Sequence, residues 1–402
     1  MSVEERTGTE RVLQARERYV PRGVAAPQLV VSKAWGAKIW DADGREYLDF
    51  GAGIAVTSLG HCHPRVTGAI QEAAATLLHV SNLYHSAPQI HLAKLLIEHS
   101  FADRVFFSNS GAEANEAALK LARKYARERI SSDRFEFVST RNSFHGRTFA
   151  TVAATGQEKY HHGFEPLVPG FKHVAYNDLR AMERAIDNRT AGVIIECVQG
   201  EGGVNIGEED YLRGLRKLCD QSGALLIVDE IQTGVARTGR LWCYEHYGIE
   251  PDIMTLAKAL ANGVPIGAML TREEIASVLV AGTHGSTFGG TPFITSVALA
   301  TLTTVLDGKL WERAAQMGRY LMDGLRSIQA SNPAIRAVRG KGLLIGAELA
   351  GPVGPVVDAC REAGLLVLSA GERVLRLTPP LIVEERDCDR ALGIIKTALG
   401  RA

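Results

Sequence analysis

This chain of 402 residues has no excess charge of either sign, no cysteine-pairing pattern and no long apolar run. Lys and Arg together number 45, as do Asp and Glu, so the formal net charge is zero. A balanced charge argues against the broad basic surface by which proteins hold nucleic acid or anionic membranes. No apolar run approaches the ~20 residues that a helix needs to span a bilayer. We therefore expect neither a nucleic acid nor a membrane as a partner.

The six cysteines are widely spread and none forms a Cys-x-x-Cys pair. That distribution is typical of reduced, mostly buried thiols in a cytoplasmic protein. The charged start "MSVEERTGTE" also lacks the apolar stretch of a secretory signal. Only "HCHP" (61–64) has the residue types of a metal site, and no second ligand cluster occurs at zinc-site spacing. We expect a cytoplasmic protein without a bound metal.

Short apolar runs alternate with helical patterns in the middle of the chain. The predicted strands are "RVFFS" (104–108), "FEFVS" (135–139), "GVIIECV" (192–198), "ALLIVDE" (224–230) and "DIMTL" (252–256). Helices are predicted from Gly111 to about Arg129 and from about Tyr211 to Gln221. Solid apolar strands separated by helices indicate a mostly parallel sheet that is buried on both faces. The fold class is therefore α/β.

The two ends of the chain have a different pattern. Residues 30–50 alternate in polarity around the turn "DADG" and predict a hairpin, whereas 293–330 is helical and "LLIGAEL" and "VLRLTP" are short strands. We expect a large central α/β domain and a smaller α+β domain built from both termini. The predicted boundaries are 1–62 for the N-terminal segment of the small domain, 63–290 for the large domain and 291–402 for the C-terminal part.

Ligands of open α/β sheets bind beyond the carboxyl ends of the strands, and "SNSGAEANEAALKLARKY" follows the first of these strands. Ser110 and Glu113 have the spacing of a capping box at the start of an apolar-periodic helix. Gly111 lets a ligand approach the backbone closely. The helix N-terminus suits a phosphate group. An ordinary cap without a ligand is the alternative.

Two further groups follow the next strands. Asp229 ends a buried strand, where a carboxylate requires a cation or hydrogen-bond donor. Lys258 is the one charged residue between Ile253 and Thr271, and a lysine held in an apolar pocket has a lowered pKa and can form an imine. A snorkelling lysine and an internal partner for Asp229 are the alternatives. Together with the phosphate site, these groups fit pyridoxal phosphate.

Arginines and an aromatic residue supply candidate substrate contacts. Phe144 in "NSFHGRT" could stack on a flat ring, and Arg147 could bind a carboxylate with two hydrogen bonds. Arg376 stands alone in an apolar strand and must be paired. Glu201 in "QGEGG" is a candidate internal partner, so Arg376 has either a bound carboxylate or a structural salt bridge. The loop "GTHGSTFGG" could supply hydroxyl groups to a phosphate.

Taken together, these segments resemble the class III aminotransferases of the fold-type I group, which use pyridoxal phosphate, and among them most closely the acetylornithine aminotransferase subgroup. The similar motifs, spread from about residue 20 to 395, are "DFGAGIAVTSLGHCHP", "SNLYH", "FSNSGAEANEAALKLARKY", "FHGRTFATVAATGQEKY", "QGEGGV", "DEIQTG", "ARTGRLW", "AKALANGVPIGA", "THGSTFGG" and "LRLTPPL". Departures are Thr291, Phe293 and Ala236, where Asn, Leu and Gly are more frequent. None of them removes a catalytic group.

The resemblance implies roles for individual residues. Lys258 would bond to the cofactor aldehyde and move a proton, and Asp229 would hold the pyridinium proton. The cofactor contacts implied in addition are Ser110, Gly111, Ala112, Phe144, Glu230, Ile231, Gln232 and Thr287. Gln232 would bond the ring hydroxyl, and Thr287 would reach the phosphate of a neighbouring subunit in a homodimer. The implied substrate contacts are Arg147 and Ser286 at the α-carboxylate, Arg376 at 2-oxoglutarate or glutamate, and Glu201 as the exchangeable partner of Arg376.

The expected reaction moves the terminal amino group of N-acetylornithine to 2-oxoglutarate in two half-reactions. Ornithine, succinylornithine, acetyl-lysine and 4-aminobutyrate are alternative amine substrates, since one methylene is worth only ~1–3 kcal/mol of discrimination. An aminomutase would not need 2-oxoglutarate, and the presence of both Arg376 and Glu201 favours a transaminase. A binding protein on a retired enzyme fold would have lost Lys258 or Asp229.

Overall fold

The structure, a computed structural model, describes residues 9–21, 23 and 29–400. Part of the predicted segment 1–62 therefore lies outside the described residues. The α-helices in the described part are α1 (Thr9–Tyr19), α2 (Ala52–Ala55), α3 (Pro64–Thr76), α4 (Ala87–Glu98), α5 (Gly111–Arg129), α6 (Phe149–Ala154), α7 (Leu179–Ala185), α8 (Glu209–Ser222), α9 (Glu273–Ala276), α10 (Pro292–Asp307), α11 (Leu310–Ser331), α12 (Gly354–Glu362) and α13 (Glu385–Leu399). Short 3-10 helices span Glu158–Tyr160, Cys243–Tyr247 and Lys258–Ala261.

The strands follow the same chain order. They are β1 (Val31–Trp35), β2 (Lys38–Asp41), β3 (Glu46–Asp49), β4 (Arg104–Ser108), β5 (Glu136–Thr140), β6 (Phe171–Val174), β7 (Thr190–Ile195), β8 (Val198–Gln199), β9 (Asn205–Ile206), β10 (Leu225–Asp229), β11 (Ile253–Leu256), β12 (Gly267–Thr271), β13 (Ile335–Lys341), β14 (Leu344–Leu349), β15 (Leu365–Leu366), β16 (Leu368–Ala370) and β17 (Val374–Leu377).

A seven-stranded sheet forms the centre of the molecule, in the order β4-β12-β11-β10-β7-β5-β6. The pairs from β11 to β6 are parallel, and β12 runs antiparallel to both of its neighbours. Every residue of β7, β10 and β11 is buried, so both faces of the sheet are covered. The predicted α/β class with a mostly parallel sheet is confirmed. The sequence analysis did not predict β6 and β12.

Two four-stranded sheets lie outside the central sheet, and one of them contains strands from both ends of the chain. Strands β1, β2 and β3 form an antiparallel meander, with the "DADG" turn between β2 and β3, and the C-terminal strand β15 joins β3 in parallel. The other sheet has the order β13-β14-β17-β16 and is antiparallel. The small domain built from both termini is confirmed. Its exact boundaries stay a prediction. Helix α10 falls in the predicted C-terminal part (291–402), but it packs against α3 and α4, which fall in the predicted large domain (63–290).

A fully buried arginine joins these parts of the fold. Arg237 donates to the carbonyl oxygens of Leu343 and Pro379 and to the hydroxyl of Ser58, 3.0 Å away. Burial lowers its pKa to about 9. The residue before it, Ala236, has a φ of 71°. This left-handed conformation is the physical reason why glycine is frequent at that position in the family.

Within the described residues, no single helix has both the length and the apolarity of a membrane span. Helices α10 and α11 reach these values only as a pair, and the pair is bent by 68°. The described residues also hold no group of three or more His, Cys, Asp or Glu side chains that could bind a metal ion.

Candidate active site

A cavity of about 390 Å³ lies beyond the carboxyl ends of β4, β5, β7, β10 and β11. This is where the general rule for open α/β sheets places a ligand. The lining residues are Val56, Asn109, Ser110, Gly111, Ala112, Phe144, His145, Gly146, Arg147, Glu196, Asp229, Ile231, Gln232, Ala257, Lys258, Gly263, Val264, Pro265 and Ile266. The structure therefore brings together residues that are up to 210 positions apart, from Val56 to Ile266.

The N-terminus of α5 forms one end of the cavity. The Ser110 hydroxyl accepts from the N–H of Glu113 at 3.2 Å, and the Glu113 carboxylate accepts from the N–H of Asn109 at 2.5 Å. The predicted cap is present, with its return bond one residue earlier than in the standard box. A Cβ on Gly111 would lie 2.8 Å from Cδ1 of Ile231, so a side chain there would have to displace Ile231. The first turn of the helix thus offers N–H groups to an anion.

Asp229 is buried at the end of β10 and is held by three donors. Its Oδ2 lies 2.8 Å from Nδ2 of Asn115 and 2.8 Å from Nδ1 of His145, and its Oδ1 accepts from the N–H of Ile231 at 3.0 Å. Asn115 is fixed in turn by the Thr255 hydroxyl at 2.7 Å. These bonds keep the carboxylate in one orientation, and its remaining lone pairs are available to a protonated ring nitrogen.

Asn115 and His145 were not predicted from the sequence. His145 directly follows the predicted residue Phe144, and Asn115 lies two residues after Glu113 of the predicted cap. Their buried polar character was the signal that could have identified them. The Nε2 atom of His145 is buried and has no hydrogen-bond partner among the described residues, which leaves one polar atom of the site for a ligand to satisfy.

Lys258 begins the 3-10 turn that follows β11, and its φ is 42°. Such a strained conformation in a non-glycine residue is typical of functional sites. Burial lowers the pKa of Lys258 and the Arg376 cation acts in the same direction, whereas Glu201 and Asp229 oppose the shift. The predicted depression of the lysine pKa is therefore present, and a larger fraction of the amine is neutral and nucleophilic.

Arg376 lies on β17 and is buried beside the cavity. Its Nη1 donates to Oε1 of Glu201 at 2.6 Å, to Oε1 of Gln232 at 3.2 Å and to the carbonyl oxygen of Gly200 at 3.1 Å. Burial acts to raise the pKa of Glu201, but the Arg376 cation outweighs it and holds that pKa below its usual value. The ion pair expected between Arg376 and Glu201 is present in the structure.

Arg147 has a very different environment at the mouth of the cavity. It is exposed, and its guanidinium carbon lies 3.8 Å from the ring centroid of Tyr160 and 5.4 Å from that of Phe144. The two rings meet edge to face at 5.7 Å. Among the described residues, no carboxylate forms a salt bridge with Arg147. Its cation is oriented by aromatic faces and is available to an anion.

Glu196 follows β7 and is a lining residue that the sequence analysis missed. Its Oε2 accepts from the N–H of Phe144 at 3.0 Å and its Oε1 from the N–H of Gly200 at 3.3 Å. Burial raises its pKa to about 7, and the negative charge of Asp229 adds to this, whereas His145 and the two N–H groups oppose it. The run "IIEC" contained the signal, an acid at the end of a buried strand.

Five predicted residues do not line the cavity, and they are Glu201, Glu230, Ser286, Thr287 and Arg376. The Glu230 carboxylate accepts from the Thr233 hydroxyl and from the N–H of Tyr244. Its implied role as a cofactor contact stays a prediction. Ser286 accepts from Nδ2 of Asn109 at 3.2 Å, next to the cavity. Thr287 is exposed.

The residues present fit pyridoxal phosphate. They supply a helix N-terminus whose glycine packs against Ile231, a carboxylate fixed by three donors, and a half-buried lysine of lowered pKa. These groups match the phosphate, the ring nitrogen and the aldehyde of that cofactor. Two guanidinium groups near the same lysine suit substrates that carry carboxylates.

Comparison with known proteins agrees with this chemistry. A family model described as "Aminotransferase class-III" matches residues 19–399. An acetylornithine aminotransferase from Myxococcus xanthus is 48% identical over 97% of this chain and 98% of its own, and one from Caldanaerobacter subterraneus subsp. tengcongensis is 47% identical over 92% and 94%. A similar solved structure is that of ornithine aminotransferase from Toxoplasma gondii, which is described with partial occupancy of PLP at its active site. Its TM-score with this chain is 0.93 and its sequence identity is 38%. The match covers 97% of this chain and 94% of the Toxoplasma chain.

Proposed function

The chain belongs to the class III aminotransferases, enzymes that use pyridoxal phosphate, and on that premise we propose that its amino donor is N2-acetyl-L-ornithine. The terminal amino group would pass to 2-oxoglutarate. The products would be N-acetyl-L-glutamate 5-semialdehyde and L-glutamate, as in arginine biosynthesis. The relatives named acetylornithine aminotransferase, at 47% and 48% identity, support this choice of donor.

The observation that carries the proposal is the ion pair between the buried Arg376 and the half-buried Glu201, 2.6 Å apart. The two substrates differ at the end that reacts: N-acetylornithine has an amine there and its carboxylate at the far end, whereas 2-oxoglutarate has carboxylates at both ends. A single site must therefore present a second cation to 2-oxoglutarate and neutralise it for the amine. Glu201 neutralises Arg376 in the first half-reaction and gives it up to the 2-oxoglutarate carboxylate in the second.

Arg147 serves both half-reactions in this proposal. Its exposed guanidinium binds the carboxylate that lies far from the reacting carbon, with Ser286 close by. Because Arg147 rests on aromatic rings and not on an acid, its cation needs no release before either substrate binds. The distance between Arg147 and Lys258 then selects the length of the substrate chain.

The residues of the cofactor end position and move protons. Bound pyridoxal phosphate supplies the electron sink that makes the substrate carbon acidic. Lys258 takes the proton from that carbon and returns it, and its lowered pKa keeps the amine ready as a base. Asp229 holds the proton of the ring nitrogen, and Gln232 bonds the ring hydroxyl. Phe144 would stack on the ring, Ser110, Gly111 and Ala112 would bind the phosphate, and Ile231 would contact the cofactor.

We propose in addition that the working unit is a cytoplasmic homodimer. Thr287 is exposed and does not line the cavity of its own chain, so its hydroxyl is free to reach the phosphate in a second copy. Around it, Leu83, Tyr84 and Phe288 are exposed large apolar side chains, which support an interface at this surface. Sedimentation of the protein with and without the substitution Phe288→Glu tests the assembly.

The test of the reaction is a half-reaction with the pyridoxal phosphate enzyme in the absence of 2-oxoglutarate. N-acetylornithine, ornithine, succinylornithine, acetyl-lysine and 4-aminobutyrate are added in separate runs, and the visible absorbance of the bound cofactor is followed. We expect N-acetylornithine to bleach the absorbance fastest and 2-oxoglutarate to restore it. Faster bleaching by ornithine, the substrate in the name of the Toxoplasma enzyme, would overturn the choice of donor. Failure of 2-oxoglutarate to restore the absorbance would overturn the choice of acceptor.

A further inference from the structure

Glu196 is the one buried acid of the cavity that the proposed reaction does not use. It lies directly after β7, and Ile195 pairs in register with Val228 of β10, so Glu196 and Asp229 stand side by side at the ends of neighbouring strands. Asp229 is held by Asn115 and His145. Glu196 has no such side-chain partner among the described residues, and each of its two carboxylate oxygens accepts a hydrogen bond from a backbone N–H group.

Those two N–H groups belong to different loops. Phe144 lies three residues before Arg147, in the loop that follows β5, and Gly200 directly precedes Glu201. The carbonyl oxygen of Gly200 also accepts from Arg376 at 3.1 Å. The Glu196 carboxylate is thus a direct link between the loop that carries one substrate arginine and the loop that carries the counterion of the other. A second link joins the same segments, since Nε2 of Gln199 donates to the Arg141 carbonyl oxygen at 2.8 Å.

We propose that Glu196 is a positioning residue that fixes the spacing between the Arg147 site and the Arg376–Glu201 site. This inference rests on the proposed function, since it assigns the two arginines to the two ends of the substrates. A dicarboxylate that must meet both cations at once depends on that spacing more than a monocarboxylate does. Loss of the link should therefore weaken the binding of 2-oxoglutarate more than the binding of the amine substrate.

The link has a pH dependence that can be worked out. An ionised carboxylate accepts both N–H bonds, whereas a protonated one keeps a single good acceptor oxygen. Burial raises the pKa of Glu196 to about 7, so the doubly bonded form dominates above that pH and is lost as the pH falls through it. The charged or titratable groups that face Glu196 are His145, Asp229 and Lys258, and Arg376 acts through the Gly200 carbonyl.

Glu196→Gln is the decisive variant, because an amide has one acceptor oxygen and imitates the protonated acid at every pH. The half-reaction of the aminated enzyme with 2-oxoglutarate is measured between pH 6 and 8, where this substrate does not titrate. We expect KM for 2-oxoglutarate to rise about tenfold, the effect of one lost hydrogen bond to a charged group, and kcat to change little. The wild-type loss of kcat/KM below pH 7 should be absent in the variant.

Glu230→Gln is the matched control. Glu230 is equally buried and its pKa is also raised to about 7, mainly by burial, but its carboxylate holds Thr233 and Tyr244. Both variants are expected to lower the melting temperature. Only Glu196→Gln should remove the acid limb of the pH profile, which is the loss of kcat/KM below pH 7. Glu196→Asp, which keeps the charge, should retain that limb.

The outcomes separate this inference from the proposed function. If wild-type enzyme fails to restore the cofactor absorbance with 2-oxoglutarate, the proposed acceptor is wrong. If wild type reacts normally but Glu196→Gln keeps the wild-type KM and acid limb, Glu196 does not position the two sites. A fall in kcat alone, equal in Glu196→Gln and Glu230→Gln, would reduce Glu196 to a purely structural residue.

Discussion

The two halves of the cavity are built on different principles. At the cofactor end, Asp229 and Asn115 are buried and bonded to several partners, and Gly111 packs closely against Ile231. At the substrate end, Arg147 is exposed on aromatic rings, and Arg376 is neutralised by a removable acid, Glu201. A cofactor that stays bound favours a rigid, fully satisfied site. Two substrates that alternate require groups whose partners can be exchanged.

The difference between the halves predicts unequal effects of substitution. Changes at the cofactor end should reduce kcat for every substrate, because all substrates share that chemistry. Changes at the substrate end should alter KM and the ratio between substrates. The largest of the expected effects lies at Lys258 and the smallest at the helix cap.

Lys258→Ala should nearly abolish turnover with all amines. It removes the group that moves the proton, and one positioned acid–base group is typically worth about 10²–10⁴-fold, to which the loss of imine exchange adds. Steady-state kinetics with added methylamine as a replacement base measures the effect. Retention of more than a tenth of the wild-type kcat would place the proton transfer on another residue.

Asp229→Asn should lower kcat by about 10²–10³-fold, the usual effect of removing one preorganised electrostatic partner. The amide keeps the shape of the side chain but cannot stabilise a protonated ring nitrogen. Thermal unfolding of the same variant serves as the control for folding. An equal loss of kcat with N-acetylornithine and with 2-oxoglutarate is expected, and a loss confined to one substrate would contradict the division into two halves.

Glu201→Gln should change specificity instead of rate. Arg376 then loses its ionic partner and stays available as a cation. A buried unpaired cation is costly, and the 2-oxoglutarate carboxylate pairs with it whereas the amine substrate does not. The ratio of kcat/KM for 2-oxoglutarate to kcat/KM for N-acetylornithine should therefore rise about tenfold. Arg376→Lys should move the ratio in the opposite direction, because lysine lacks the two-pronged geometry. Parallel loss with both substrates in Glu201→Gln would show that the ion pair is only structural.

Ser110→Ala should have the smallest effect. It removes the acceptor of the Glu113 N–H, and loss of an N-cap costs about 1 kcal/mol of the free energy of unfolding. Urea unfolding measures this, and Ser110→Thr, which keeps the hydroxyl, is the control. Binding of pyridoxal phosphate should weaken a few-fold. An unchanged midpoint for Ser110→Ala would mean that water replaces the cap fully.

Sequence periodicity predicted the fold class and most strands of the central sheet, because those strands are uninterrupted apolar runs. It missed β12, whose sequence "GAMLT" is short. This strand runs antiparallel to its neighbours, so it is not part of the alternating strand–helix pattern from which the other strands were predicted. Charged residues that are isolated among apolar ones, such as Lys258 and Arg376, were identified readily. Asn115, His145 and Glu196 were missed, since their roles arise from distances between segments far apart in the chain.

The buried arginine at the junction of the domains bears on how substrates enter and leave. Arg237 bonds to Ser58, Leu343 and Pro379, and separating these segments would break three hydrogen bonds to a charged group, each worth about 1.5–3 kcal/mol. Opening of the small domain is therefore a costly route for substrate exchange. The Arg147 side chain, which is exposed at the mouth of the cavity, can move without breaking these bonds, and the residence time of a substrate would then depend on the aromatic contacts of that side chain.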